Sequence, residues 1–258
     1  MASLPLVRLW HTRSLIFHFA ILNIKIRFKS TYLGVLWAAI EPMIYFIVLY
    51  VVFSSIRVRA EEFPIYLITG IMIFHVFIRG TSGSLGSLTG NAGIIKSVNI
   101  RREFFPVVAT AAIALLAFVD VGVFFGLMPI FQFMPPWTIV LLPLPMILVL
   151  ILVLGFSYLL SIINVFVRDI QNIWIIISHS LLFISPIFWH LKEVDGILLQ
   201  IQSINPLGQI IEIAHSLVIY GEIPPISDWI YTTIFVFAIF FFGYAVFHRL
   251  ENKITEEL

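Results

Sequence analysis

Six long apolar runs, each holding at most one charged residue, leave this chain few ways to fold. They lie near residues 33–53, 64–84, 107–129, 138–163, 170–189 and 229–248. A hydrocarbon layer about 30 Å thick is crossed by roughly 20 helical residues. Inside that layer the backbone polar groups must be bonded within a helix or around a closed barrel. Barrel strands alternate over about 10 residues, whereas these runs are continuous, so helices are predicted. Of the 258 residues, 60% are hydrophobic and 11% charged, against about 25% charged in soluble domains. The expected class is all-α, a polytopic membrane protein with six transmembrane helices. Residues 1–258 read as a single transmembrane domain: an amphipathic N-terminal segment 1–32, a six-span bundle 33–248 and a cytoplasmic tail 249–258.

The basic residues orient the bundle, because Lys and Arg concentrate on the cytoplasmic side. With the N-terminus inside, the inner segments carry Arg8, Arg13, Lys25, Arg27, Lys29, Arg79, Lys96, Arg101, Arg102, Arg168, Arg249 and Lys253. Only Arg57, Arg59 and Lys192 fall outside. Both termini are therefore expected in the cytoplasm and the protein in the cytoplasmic membrane. Residues 197–223 are long enough to cross, but Gln200, Gln202, Asn205, Gln209, Glu212 and His215 punctuate them and Pro206 interrupts them. Sinking these groups in lipid is costly, so short outer-face helices or a re-entrant hairpin are expected before the last span.

The N-terminal segment runs straight into the first span through NIKIRFKSTYLGVLWAAIEP, residues 23–42. On a helical wheel Trp10, Phe17, Ile21, Ile24 and Phe28 share an arc, with His11, His18, Lys25 and Lys29 beside it. Such a helix lies at the membrane interface with its cations toward phosphates and water. The second run has only fifteen strongly apolar residues, PIYLITGIMIFHVFI. Its helix must continue through RGTSGSLGSLTG, where small residues and hydroxyls suggest packing in protein and Gly86 and Gly90 form a GxxxG. Residues 91–106 make the main cytoplasmic loop, with Lys96, Arg101, Arg102 and Glu103, and Pro106 suits a helix start.

Within the spans, Glu41 and Asp120 are the costly groups, with Asn172 and His179 lesser polar points; intramembrane carboxylates face a cavity or a partner. Arg168-Asp169 stands at the entrance to the fifth span, where Asp169 complements the helix dipole. Trp37, Tyr45, Tyr50, Tyr158, Trp174, Phe183, Phe188 and Trp189 offer flat faces suited to sugar rings. With no cysteine there is no disulfide or thiolate site. The connecting segments hold no D-x-D or H-E-x-x-H, and no G-x-x-x-x-G-K-[ST] occurs. Transport, if active, must then draw on an ion gradient or on another subunit. A proton-coupled carrier working through Glu41 and Asp120 is the alternative from a different class.

Four segments in order resemble one family: IKIRFKSTYLGVLWAAIEPMI, NAGIIKSVNIRREFFPVV, INVFVRDIQNIW with ISPIFW, and NPLGQIIEIAHSLVIYG. Together they are similar to the membrane subunits of type-2 ABC exporters for lipid-linked polysaccharides such as O-antigen, capsule or teichoic acid. The resemblance implies a homodimer paired with two copies of a separate ATPase, which holds the ATP and Mg while this chain carries no cofactor. The substrate would be a glycan on a lipid carrier; a small-molecule or lipid exporter of the same superfamily is the nearer alternative, and no nucleic-acid partner is expected. The resemblance also implies a cytoplasmic gate helix bearing His18, Lys25, Arg27 and Lys29. It makes residues 94–105 a coupling helix, with Ile94, Ile95, Lys96, Ser97, Val98, Asn99, Ile100, Arg101, Arg102 and Glu103 at the ATPase. Channel candidates are Trp37, Glu41, Tyr45, Asp120, Trp174, Phe183 and Phe188, with Arg168 and Asp169 as a cytoplasmic pair.

Overall fold

The computed structural model describes residues 13–54, 62–98, 100–190 and 195–254. Among them are ten α-helices and no strand: α1 Arg13–Arg27, α2 Trp37–Ser54, α3 Phe63–Leu85, α4 Ala92–Ser97, α5 Phe104–Leu127, α6 Pro143–Phe166, α7 Ile170–Ile184, α8 Ile197–Ile204, α9 Pro206–His215 and α10 Ile226–Leu250. Five stretches are long and apolar enough to cross a membrane: Gly34–Ser54, Phe63–Leu85, Phe104–Leu127, Trp137–Phe166 and Ile226–Lys253. The chain is a multi-pass helical membrane protein.

The hub is α3, with α2, α5, α6, α7 and α9 packed around it. Of its 23 residues 20 are buried, whereas α2 buries only Ala38, Pro42 and Phe46. Its last turns enter the row of small and hydroxyl residues, but the expected continuation through all of residues 79–90 stops at Leu85. The Thr81 hydroxyl donates to the Phe77 carbonyl (2.9 Å) and that of Ser84 to Thr81 (2.8 Å), so neither is left unpaired in the interior. The GxxxG plays no part in this packing. The helix ends at Leu85, and a Cβ on Gly86 or Gly90 would meet nothing within 4 Å. The close crossing is elsewhere, where α6 meets α10: a Cβ on Gly155 would lie 2.8 Å from the Phe240 Cα.

The fifth apolar run is helical only over Ile170–Ile184. Its 15 residues rise about 22 Å, short of a hydrocarbon core. Irregular backbone carries the chain on from there alongside α3. The Trp174 Nε1 donates to Thr81 Oγ1 at 3.1 Å, Ile187 lies against Gly70, and the Tyr66 hydroxyl donates to the Trp189 carbonyl at 2.7 Å. Residues 174 to 189 thus climb while α3 descends from 81 to 66. Ser185–Trp189 are buried in protein, the condition under which non-helical backbone is tolerated at membrane depth.

Residues 197–223 take the hairpin form. Asn205 caps α9 by accepting from the Leu207 N–H (3.1 Å), and Pro206 opens that helix. The hairpin tip reaches past the first turn of α10, where the Tyr231 hydroxyl donates to the Ser203 carbonyl (2.8 Å). The returning arm is buried, and its His215 Nε2 lies 3.0 Å from the Tyr66 carbonyl. Thr138 donates to the Leu217 carbonyl, and Gly221 closes the arm in the left-handed region at φ +66°.

The N-terminal helix is present, and its packed face overlaps the expected arc at Ile24 and Phe28 but is rotated away from Phe17. Ile16, Phe19, Ala20, Ile24 and Phe28 turn inward, whereas Phe17 is 51% exposed. Nor does α1 stand alone at a surface. It runs along α5, from Phe19 edge-on to Phe104 (5.3 Å) to Arg27 beside Leu116. Trp10 and His11 of the expected arcs, with Arg8, Arg57, Arg59 and Lys192 of the charge census, lie outside the described residues.

Candidate functional site

Proline has no N–H to offer the carbonyl four residues back. Pro42 lies inside α2, so the Ala38 oxygen is released from the helix ladder. Arg79 of α3 takes it, with Nη2 at 3.3 Å. The same Nη2 lies 3.4 Å from Glu41 Oε2 and 3.3 Å from His75 Nδ1, and Nη1 donates to Asp120 Oδ2 of α5 at 3.1 Å. Arg79 has no acceptor atom, so His75 Nδ1 must be the acceptor, which places its ring proton on Nε2. One guanidinium thereby ties α2, α3 and α5 together.

The two carboxylates differ in surroundings. The Arg79 and Asp120 side chains are 3% and 1% exposed, that of Glu41 47%. Arg79 Nε and Asp120 Oδ1 are buried without a partner. Glu41 faces a cavity of about 340 Å³ between α1, α2 and α3, lined also by Arg27, Tyr45, His75, Arg79 and Ser82. Arg27 reaches it from the end of α1, passing Gly83. Enclosure by protein lowers the proton affinity of Arg27 first and the like charge of Arg79 lowers it further, while Glu41 opposes both. The guanidinium still keeps its proton. Two cations and one accessible carboxylate therefore share a single opening.

All four residues named for the gate, His18, Lys25, Arg27 and Lys29, are exposed, and His18 Nδ1 donates to the Ser14 carbonyl (2.6 Å). Trp37 is exposed, and the Tyr45 and His75 rings meet in a T-shape with centroids 5.0 Å apart. Trp174 lies buried in the seam between α3 and α7, and Phe188 is covered by stacking on Phe53 at 4.4 Å. Phe183, Asn172 and His179 are exposed on α7. Arg168 and Asp169 are exposed before α7, and the Asp169 carboxylate makes no cap bond.

In the 94–105 segment only α4, Ala92–Ser97, is helical, taking in Ile94, Ile95, Lys96 and Ser97. Val98 is extended, Asn99 lies outside the described residues, and α5 begins at Phe104. Ile100, Arg101, Arg102 and Glu103 face the C-terminal turn of α10 across a polar cleft of about 370 Å³. Arg102 donates to the Glu251 carbonyl, and Arg101 Nη1 lies 3.4 Å from Glu103 Oε1.

Residues 15–219 match the model of the ABC-2 type transporter membrane family. The chain belongs to that family. Among relatives of this ABC-2 membrane subunit, an O-antigen export system permease protein RfbA of Klebsiella pneumoniae is 26% identical, over 92% of each chain. The polysialic acid transport protein KpsM of Escherichia coli is also 26% identical, over 89% of this chain and 91% of its own. An RfbA of Myxococcus xanthus is 23% identical over 72% of each.

The sequence pointed to Glu41 and Asp120 separately but counted Arg79 as one more inner-side cation. The clue available was arithmetic: Glu41, Arg79 and Asp120 are the charged residues inside the first three apolar runs. A lone charge at mid-span costs about 2.5–3.5 kcal/mol, so pairing them was the economical reading. Asn164 carried no such signal. It is fully buried, donates to the Leu85 carbonyl (2.8 Å) and accepts from Gln171 Nε2 (3.0 Å), tying the end of α3 to α7.

Proposed function

We propose that this subunit exports a lipid-linked polysaccharide, of the O-antigen or capsule kind, across the cytoplasmic membrane, powered by ATP hydrolysis on a separate subunit. The observation that carries this is the likeness, over about nine-tenths of the chain, to an O-antigen export permease and a polysialic acid transport protein. In this reading the end bearing Arg27, α4 and the C-terminal turn faces the cytoplasm, and two copies of the chain pair with two ATPase subunits. The exposed surface of α4 and Arg101 would meet the ATPase, with Arg102 bracing that surface against α10. The lipid-linked glycan would enter beside α1, and the hairpin α8–α9 would bound the outer end of its path. Ser97 and Lys96 stand exposed on the face such docking needs.

The test is reconstitution of the chain with its ATPase in vesicles loaded with lipid-linked glycan. The expected result is ATP-dependent movement of glycan to the opposite leaflet. ATP hydrolysis without such movement overturns the substrate class, and movement without the ATPase overturns the energy source.

A further inference from the structure

The returning arm of the hairpin closes on α3 through one histidine, and one side of that histidine is left unanswered. His215 is fully buried, with its ring stacked on Tyr66 at 3.7 Å. Its Nε2 lies 3.0 Å from the Tyr66 carbonyl. A carbonyl only accepts, so Nε2 carries the ring proton and the neutral ring presents a lone pair at Nδ1. What Nδ1 meets is Glu212 Oε2, one turn back on α9, at 3.8 Å. Both atoms are buried and neither has a hydrogen-bond partner. Two acceptors thus face each other across a gap too long for a hydrogen bond and too short for a water to bond both. Apolar side chains of similar shape would pack there without the cost of unpaired acceptors, so holding the arm in place does not explain the pair.

We propose that Glu212 and His215 form a proton-binding site: one proton taken up from water is held between Oε2 and Nδ1, and it fastens the returning arm to α3. The proton turns two facing acceptors into a charge-assisted hydrogen bond, shorter and stronger than a neutral one. The imidazolium then lies over the Tyr66 ring, whose face attracts a cation, and Nε2–H becomes a stronger donor to the Tyr66 carbonyl. All three changes tighten the same contact. The Glu212 side chain is 25% exposed, which gives the proton a path from water through the carboxylate to Nδ1. A metal ion fits less well, because among the described residues no third His, Cys, Asp or Glu gathers with these two.

The surroundings make Glu212 the charge that His215 answers to. Packed against α9 are α3, α6, α8, α10 and residues 216–220. Neither α6 nor α8 contains a charged residue or a histidine, and Tyr158 of α6 lies at the opposite end, against Phe247. From α3 comes Tyr66, with Glu62 one turn before it and exposed. On α10, Asp228 is exposed and the Tyr231 hydroxyl donates to Ser203. Tyr220 lies 3.3 Å from His190 Nδ1, and the His190 ring is 4.1 Å from that of Tyr66. His190 is therefore the other imidazole to separate from His215.

The chain has no cysteine, so Val218→Cys can serve as a reporter in the full-length protein. Val218 is fully buried on the arm, and a maleimide reaches a thiol there only when the arm lifts. The labelling rate is measured in nonionic detergent from about pH 8 to about pH 6, spanning the ordinary imidazole value of about 6.5, with and without Glu212→Gln. The glutamine amide donates to Nδ1 with no added proton and holds the arm at every pH; dividing the two rates cancels the reagent's own pH dependence. The closed arm holds a proton that the opened arm, with its groups apart, holds less well, so the fastening is present in acid and lost as the pH rises. Labelling with Glu212 intact is expected to be about tenfold faster than with Glu212→Gln near pH 8, and nearly equal to it near pH 6. A ratio that does not change with pH overturns the proposal. Adding His190→Gln should leave the pH-dependent ratio in place, and its disappearance assigns the titration to His190 and overturns the proposal too. Should Val218→Cys prevent folding, the unfolding midpoints with and without Glu212→Gln decide: a gap that closes by about 2–4 °C toward pH 6 supports the site, and parallel curves remove it.

Discussion

The hub helix α3 is gripped by opposite chemistry near its two ends. Near Leu85 the grip is ionic, with Arg79 held by Asp120, Glu41 and a carbonyl released by Pro42. Near Phe63 it is neutral. The Tyr66 ring stacks on His215 at 3.7 Å, its hydroxyl donates to Trp189, and its carbonyl pairs with His215 Nε2. The ionic end adjoins a cavity and uses groups that can change partners. The neutral end clasps the returning arm of the α8–α9 hairpin and a stretch of irregular backbone, both buried and held by these hydrogen bonds.

The sharpest way to break this comparison is Arg79→Gln. It leaves the buried Asp120 without its counter-charge, and removing one member of a buried pair typically costs about 3–5 kcal/mol. A large fall in the thermal unfolding midpoint in detergent is expected. The double variant Arg79→Gln with Asp120→Asn removes both charges and should recover much of the loss. If the double is no better than the single, the pair is not what the ionic end depends on.

The neutral end should respond far less to a comparable deletion. Tyr66→Phe keeps the stacked ring and removes only the hydroxyl that bonds the Trp189 carbonyl. A net hydrogen bond is worth about 1 kcal/mol, so a small drop in midpoint is expected, with protease sensitivity rising around residues 185–190. A loss matching that of Arg79→Gln would mean both ends are equally unforgiving.

How much of this was legible in the sequence depended on whether a feature was local. The apolar runs, the polar last turns of α3 and the Pro206 break each announce themselves within one segment, and the helices follow them. The cage joins residues 38, 41, 75, 79 and 120, and no local pattern says which of these meet. The GxxxG at Gly86 and Gly90 was a local pattern without a tertiary counterpart. Gly155 and Gly243, 88 positions apart, form the close crossing with no motif at all. The α1 wheel was right at Ile24 and Phe28 and wrong at Phe17 for a related reason. With Leu15, Phe17, Leu22 and Ile26 exposed as well, the helix is apolar over too wide an arc for periodicity to choose the face that meets α5.

The finest distinction lies inside the ionic end itself, between two carboxylates on one guanidinium. Glu41→Gln removes a partner that is half exposed, and exposed ion pairs contribute about 0–1 kcal/mol. Arg79 would retain Asp120, His75 and the Ala38 carbonyl, while the new amide oxygen can still accept from Nη2. The unfolding midpoint should therefore barely move. Asp120→Asn is the control, because its carboxylate is buried and its loss leaves Arg79 balanced only by the more distant Glu41. Equal destabilisation by the two variants would show that Glu41 is as structural as Asp120, and the division of this end into a fixed ligand and an exchangeable one would fall with it.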